Sequence, residues 1–368
     1  MKRFLNRGFA LLDLLILLAA IGVLSSLLIV GVGYQTEQAR QNACVNNLKQ
    51  LALAVHNYHD VFQSMPAARG AFAELDRTAE SDDPGSYFSA FVVLTPFTEN
   101  AAVYGELRRY TEKNREKRMT SPYVDTDDFP AMKANIPTFQ CPSDTVALKP
   151  SLDGRGVRRI SYATSRGDSL RDNSRKSDVV DEEFAKTADR GAFLTGNKFA
   201  TFARITDGLS NTVMFSEILS ASSYADRDVQ GSVVGNLAKM ATESGSIPKP
   251  CLDLQGDDGK LTRGASEIAR GQNWLDGAVM TGGFTTVLPP NAPSCSFAGA
   301  DSWGVASAQS RHPDGVNVAL MDGSVRFCRN DIDCGDPSAS PVVKGPSPFG
   351  VWGAFGSAQG GEMTSRSL

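Results

Sequence analysis

Two hydrophobic periodicities organise the first sixth of the chain. Between Phe9 and Val32 lie 24 residues carrying a single charge, Asp13. At 1.5 Å per residue such a helix is about 36 Å long, enough for a hydrocarbon core of about 30 Å. Beyond it the pattern changes without stopping. Ala39, Cys44, Leu48, Leu51, Val55, Tyr58 and Phe62 recur every three or four residues, while Gln38, Arg40, Asn42, Asn46 and Lys49 fall on other faces. Pro66 closes the run. The prediction is one rod of more than fifty residues, its inner part apolar all round and its outer part packed on a globular domain. Gly31 and Gly33 mark a weak point between the two.

Further along the period shortens. Val316, Val318 and Leu320 alternate with Asn317, Ala319 and Met321, then Asp322-Gly323 precedes Val325 and Phe327. Asp-Gly between alternating apolar residues signals a hairpin, because the turn needs positive φ. Gly191–Phe193, Val213–Leu219 and Gly277–Leu288 are apolar or β-branched pieces bounded by Gly, Asn and Pro, which favours strands. Periodicity does not decide whether Tyr87–Pro96 is helix or strand. Ala68–Gly85, Arg108–Asp128, Asp168–Arg190 and Met240–Gly271 are polar and read as surface insertions, with helical charge spacing over Glu106–Lys117. The fold class expected is α+β: a long N-terminal helix packed on an antiparallel sheet with large loop insertions.

Lys2, Arg3 and Arg7 precede the apolar run, which keeps the short N-terminus inside and sends the rest outward. The run is long for a cleaved secretory signal, and no small-residue cleavage site closes it. A plain anchor leaves Asp13 unexplained, since a carboxylate in a membrane span is costly and calls for a partner. Basic residues, Gly8, Phe9, apolar residues, an acid and a long apolar helix together resemble the type IV prepilin signal. That resemblance implies cleavage by a prepilin peptidase after Gly8, N-methylation of Phe9, and pairing of Asp13 with the amine of a neighbouring subunit. The family usually has glutamate at that position, and aspartate is one methylene shorter. The organisation expected is a leader over 1–8, a transmembrane helix over 9–32, its amphipathic extension over 33–65, and an exported α+β domain over 66–368.

Composition narrows the classes. Lys and Arg number 37 and Asp and Glu 41, for a formal charge of −4. Loss of Lys2, Arg3 and Arg7 with the leader leaves 34 basic side chains against 41 acidic ones, −7 before the new amine is counted. That is not the balance of a nucleic-acid binder. The six cysteines, Cys44, Cys141, Cys251, Cys295, Cys328 and Cys334, would lie on the exported side, and none forms a CxxC pair. They read as disulfides rather than a zinc site. The pairing taken is Cys44 with Cys141, Cys251 with Cys295 and Cys328 with Cys334, the last alone having local support in its short intervening turn.

Blocks along the chain carry a second resemblance: ARQNACVNNLKQLALAVHNYHDVFQSMP, SYFSAFVVLTPFTENAAVY, IPTFQCPSD, SYATSRGD, ITDGLSNTVMFSE, SRHPDGVNVALMDGSVRFC and FGVWGAFGSAQGGE. In this order they resemble a large bacterial family of exported proteins with a prepilin-type start and an otherwise uncharacterised domain. The family motif residues here are His56, His59, Asp144, Asp207, His312, Asp322 and Gly323, with nine residues between His312 and Asp322.

The candidate chemistry is sparse. His56 and His59 share one helix side, and with Asp60 or Asp322 they would make a metal site. HxxH alone is a weak signal, and polar contacts where helix meets sheet are the favoured account. His312 would fix the loop before the hairpin by bonding to backbone. The oxygen-rich runs at Asp207–Asn211 and Cys141–Asp144 suit calcium or, more simply, turns that order loops. Glu217, a lone acid in an apolar run, reads as a surface or turn contact, and Trp274, Trp303 and Trp352 as core. No nucleophile elbow, P-loop or GxGxxG appears, so no enzyme and no resident cofactor is expected. The function expected is a pilin- or pseudopilin-like subunit held in the inner membrane by a single pass, with its C-terminal domain in the periplasm or at the cell surface. Its partners would be prepilin peptidase and other pilin-like subunits. The alternative is an anchored exterior protein that captures a ligand such as a glycan.

Overall fold

The computed structural model describes residues 11–70, 87–113, 130–170, 190–195, 199–224, 227–242, 245–264, 268–300 and 302–362; within the first helix it describes side chains of 14–21 and from 37 onward. The expected leader, including Gly8, and Phe9 lie outside these residues, as does the side chain of Asp13.

Helix α1 (Leu11–Phe62) is one unbroken rod of 52 residues, continuing through Gly31 and Gly33. Its outer half is amphipathic in fact as in pattern. Cys44, Leu48, Leu51, Ala52, Val55 and Tyr58 are buried, while Gln38, Arg40, Asn42, Asn46 and Lys49 are exposed. The packed face starts at Cys44, because Ala39 is exposed. The rod stops before Pro66: Gln63 turns left-handed at φ 55° and returns its N–H to His59 O at 2.7 Å, which caps the last turn. At the other end Leu14–Leu18 and Ile21 are each at least half exposed. Among the described residues no helix is long and apolar enough to cross a membrane.

The rod lies on a five-stranded sheet. Its strands, with two smaller sheets, are β1 (Tyr162–Ser165), β2 (Val213–Glu217), β3 (Val233–Val234), β4 (Ala241–Thr242), β5 (Gly245–Ser246), β6 (Gly283–Phe284), β7 (Ser294–Ser296), β8 (Gly304–Val305), β9 (Gly315–Leu320) and β10 (Val325–Arg329). The main order is β10-β9-β2-β1-β6, antiparallel except for the parallel β1/β6 pair. A second sheet is β3-β7-β8, and β4 and β5 pair alone. Both faces of β9 are buried, so its alternation separates two covered faces rather than core from solvent.

The β9–β10 hairpin forms as the Asp-Gly signal requires, with a different turn. Gly323 N–H bonds Leu320 O at 2.9 Å and Leu320 N–H bonds Ser324 O at 2.8 Å, with Gly323 at φ 84°. Met321 and Asp322 are therefore the corner residues, and only glycine takes the left-handed position. Asp322 accepts bonds from Ser324 N and Oγ.

Elsewhere tertiary context overrides local preference. Tyr87–Pro96 contains helix α2 (Ala90–Leu94) running into a 3₁₀ turn, followed by α3 (Ala101–Lys113). Gly191–Phe193 is a bend, not a strand. Gly277–Leu288 contains a helical turn, Val279–Gly282, before the two residues of β6. Asp276 accepts Ala278 N–H at 2.9 Å and Thr281 Oγ1 at 2.8 Å, so its carboxylate holds this segment in a turn despite its apolar content. Phe91, Phe139, Phe215, Phe193 and Trp274 form the aromatic centre, with successive ring centroids 5.3–5.7 Å apart. Trp303 and Trp352 are buried too.

Two of the three expected disulfides are present, Cys44–Cys141 and Cys251–Cys295. Cys328 and Cys334 are free thiols. The segment between them closes on its own contacts, Ile332 N–H to Arg329 O and an Arg329–Asp331 ion pair, and each sulfur faces a backbone carbonyl. A short intervening turn therefore does not bring these sulfurs into a bond.

Candidate functional site: a buried acid–histidine cluster under the long helix

Where α1 reaches the sheet, four distant segments meet. Strand β2 ends in Glu217, paired across the ladder with Tyr162 of β1. The loop before β9 contributes His312, and β9 contributes Asn317. Helix α1 contributes Glu37, Cys44 and Asn47, and the loop after the 3₁₀ turn Pro137–Phe139 contributes Cys141, Ser143 and Asp144.

Glu217 is 1 % exposed and fully engaged. Its Oε2 accepts Asn317 N–H at 2.7 Å, and its Oε1 accepts Asn317 Nδ2 at 3.0 Å and His312 Nε2 at 3.1 Å. His312 is oriented from its backbone, whose N–H bonds Ser310 Oγ at 3.0 Å, while that hydroxyl donates to Gly315 O at 2.7 Å. The second imidazole nitrogen, Nδ1, lies 3.3 Å from Glu37 Oε1. That contact is out of line for a hydrogen bond, so Nδ1 feels the charge and has no hydrogen-bond partner. Glu37 also accepts Ser143 Oγ at 3.0 Å. The Cys44–Cys141 bond adjoins this group: ligand-type atoms of Cys44, Cys141, Glu217 and His312 all lie within 4.8 Å of one another.

The electrostatics follow. Burial by itself would lower the His312 pKa, but the hydrogen bond and charge of Glu217, joined by Glu37, outweigh it and raise the value. Tyr162, buried and near Glu217, is pushed well up, and its hydroxyl donates to Cys44 O at 3.3 Å. Asp144 is raised by burial, against the pull of bonds from Ser220 N at 3.0 Å and from Ala147 and Val146 N–H, both at 3.2 Å. With Asn47 Nδ2 donating to Gln140 O at 2.9 Å, the cluster clasps helix to sheet.

The other motif residues lie elsewhere. His56 Nε2 bonds Met321 O at 2.9 Å, and His59 stacks on Phe202 with centroids 4.1 Å apart. Neither forms a ligand group with Asp60 or Asp322; among the described residues the one gathering of three or more such side chains is at Cys44, Cys141, Glu217 and His312. Asp207 accepts Gly360 and Gly361 N–H at 2.6 and 2.8 Å, so it fastens the C-terminal loop. The expectation for Glu217 is corrected outright, since it is interior and not a surface contact. His312 bonds a side chain through its ring where a backbone contact was expected. Glu37 and Asn317 gave no warning, while a lone acid inside the apolar run Thr212–Leu219 was a usable signal of a buried partner.

These features define an α+β domain clasped beneath a long helix, and its two disulfides suggest an exported domain. Over residues 36–335 the chain matches a family described as Protein of unknown function (DUF1559), and it belongs to that family. The apolar segment at 9–32 precedes the matched span. No curated protein and no solved structure matches the chain.

Proposed function

We propose that this chain is a pilin- or pseudopilin-like structural subunit, with no catalysis assigned to it. Prepilin peptidase cuts after Gly8, Phe9 is methylated, and the apolar half of α1 passes once through the inner membrane. The domain clasped at Glu217 and His312 then stands in the periplasm or at the cell surface. Assembly proceeds by packing of N-terminal helices, with Asp13 meeting the amine of a neighbour's Phe9.

One observation carries the reading. One face of the same helix is buried against the sheet from Cys44 onward, while Leu14–Leu18 and Ile21 form a continuous apolar stretch that remains at least half exposed. An apolar stretch of that kind is stable only against lipid or like helices. Two disulfides on the domain support an oxidising compartment. The test is the mass of the mature N-terminus. Loss of Met1–Gly8 with one added methyl group is expected, and an intact Met1 refutes the reading.

The size of the domain favours the second reading, an anchored protein that captures a glycan or other exterior ligand. A minimal pilin needs neither the β3-β7-β8 sheet nor the long insertions. Saturable glycan binding by a chain that never associates through α1 would favour capture, whereas fibres or helix-dependent partners favour assembly.

A further inference from the structure

We propose that the Cys44–Cys141 disulfide masks a binding site for a zinc-class cation, completed by His312 and Glu217 and opened when the bond is reduced. The claim is independent of whether α1 assembles into fibres.

The atoms of a ligand set are already gathered here, the two sulfurs by their own bond. Two sulfurs, one imidazole nitrogen and one carboxylate oxygen lie within 4.8 Å of one another, and all four residues are buried. They come from α1, the loop at 141, β2 and the loop before β9, so four segments separated by long stretches of chain converge on one point. Two thiolates on a tetrahedral zinc sit about 3.8 Å apart, given Zn–S bonds of about 2.3 Å. Once the bond opens, side-chain rotation can reach that spacing from Cα atoms 4.9 Å apart. Sulfur with imidazole and carboxylate selects zinc or its neighbours over calcium and magnesium, which require oxygen.

The surroundings also suit a metal. His312 Nδ1 is buried and faces the Glu37 carboxylate at 3.3 Å without a well-aligned hydrogen bond. Glu217 is held by both Asn317 donors, and His312 is set by Ser310, the kind of outer support that fixes ligands. Glu37, whose side chain is 38 % exposed, marks the solvent side.

The chemistry balances with a dithiol reductant. The reductant gives two electrons and two protons to the S–S bond, leaving two thiols on the protein and a disulfide on the reductant. Metal entry then replaces the two thiol protons, and His312 binds as the neutral base, giving up its proton where it carries one.

The test uses the full chain in detergent micelles, with a phosphine reductant and cobalt(II) as a coloured stand-in for zinc. Reduced protein is expected to bind one cobalt per chain with thiolate-to-metal charge-transfer absorption, lost on adding one equivalent of zinc. Unreduced protein should show none. His312→Gln, which keeps every sulfur, should weaken cobalt binding by about tenfold or more. Cys251→Ser/Cys295→Ser should leave the band unchanged, whereas Cys44→Ser/Cys141→Ser should abolish it. No charge-transfer band in reduced wild type, or a band that survives loss of Cys44 and Cys141, overturns the proposal. Should those variants fail to fold, X-ray absorption of the zinc-loaded wild type decides. Two sulfur and two nitrogen or oxygen neighbours support the site, and any other shell refutes it.

Discussion

Replacing Glu217 by Gln tests the clasp most directly, because it keeps the shape and removes the charge. The carboxylate accepts three bonds, from Asn317 N, Asn317 Nδ2 and His312 Nε2. A glutamine whose oxygen keeps the Asn317 N–H must turn its own NH₂ toward the two remaining donors. Two bonds to a charged acceptor are then lost inside the protein, at about 1.5–3 kcal/mol each. The lost bonds together come to about 3–6 kcal/mol, and breaking a buried acid–base pair by one partner costs about 3–5 kcal/mol, so the two routes overlap at about 3–5 kcal/mol. The pH dependence is the sharper signature. His312 has a raised folded pKa, so its protonation stabilises the native state fully below the unfolded value of about 6.5 and is lost as pH rises through the folded value. In Glu217→Gln the main cause of that rise is gone, and the lowering by burial is opposed by Glu37 alone. Urea denaturation of the full chain in micelles, followed by fluorescence of buried Trp274 and Trp352 between about pH 5.5 and 8, measures both effects. The gap between wild type and variant should narrow as pH rises. A gap below about 1 kcal/mol, or one independent of pH, refutes the clasp.

Other consequences are simpler to read. Removing Cys44–Cys141, which spans 97 residues, should cost about 4.7 kcal/mol, and removing Cys251–Cys295, which spans 44, about 4.0 kcal/mol in the chain-entropy account, both measured by urea midpoint. Alkylation after unfolding without reductant should add two groups per chain, at Cys328 and Cys334, and mass spectrometry that finds none would restore the third disulfide. Gly167→Ala places a Cβ 2.6 Å from the Gly191 backbone at φ +74°, so a loss of at least about 2 kcal/mol in thermal or urea unfolding is expected. Phe202→Ala removes the ring stacked on His59 and tilted against His56, and should cost about 1 kcal/mol in the same assay.

Much of the architecture was readable before folding because it rests on local rules. The helical period over Cys44–Tyr58 predicts the packed face, and Asp322-Gly323 predicts the hairpin, since helix period and turn geometry are properties of neighbouring residues. Local rules failed where they competed with a distant partner. Gly277–Leu288 has strand-like composition, yet Asp276 bends part of it into a helical turn, and the short turn between Cys328 and Cys334 does not join them.

The sequence by itself determined the long rod, the apolar stretch at its start and the polar character of the insertions, because each depends on residues within a few positions of one another. Tertiary structure alone decided that Glu217 meets His312, 95 residues away, and Asn317, 100 away, beneath a helix carrying Glu37 and Cys44. The physical reason is desolvation: a carboxylate in an apolar strand must find donors somewhere, but which ones it finds depends on how the whole chain closes over it.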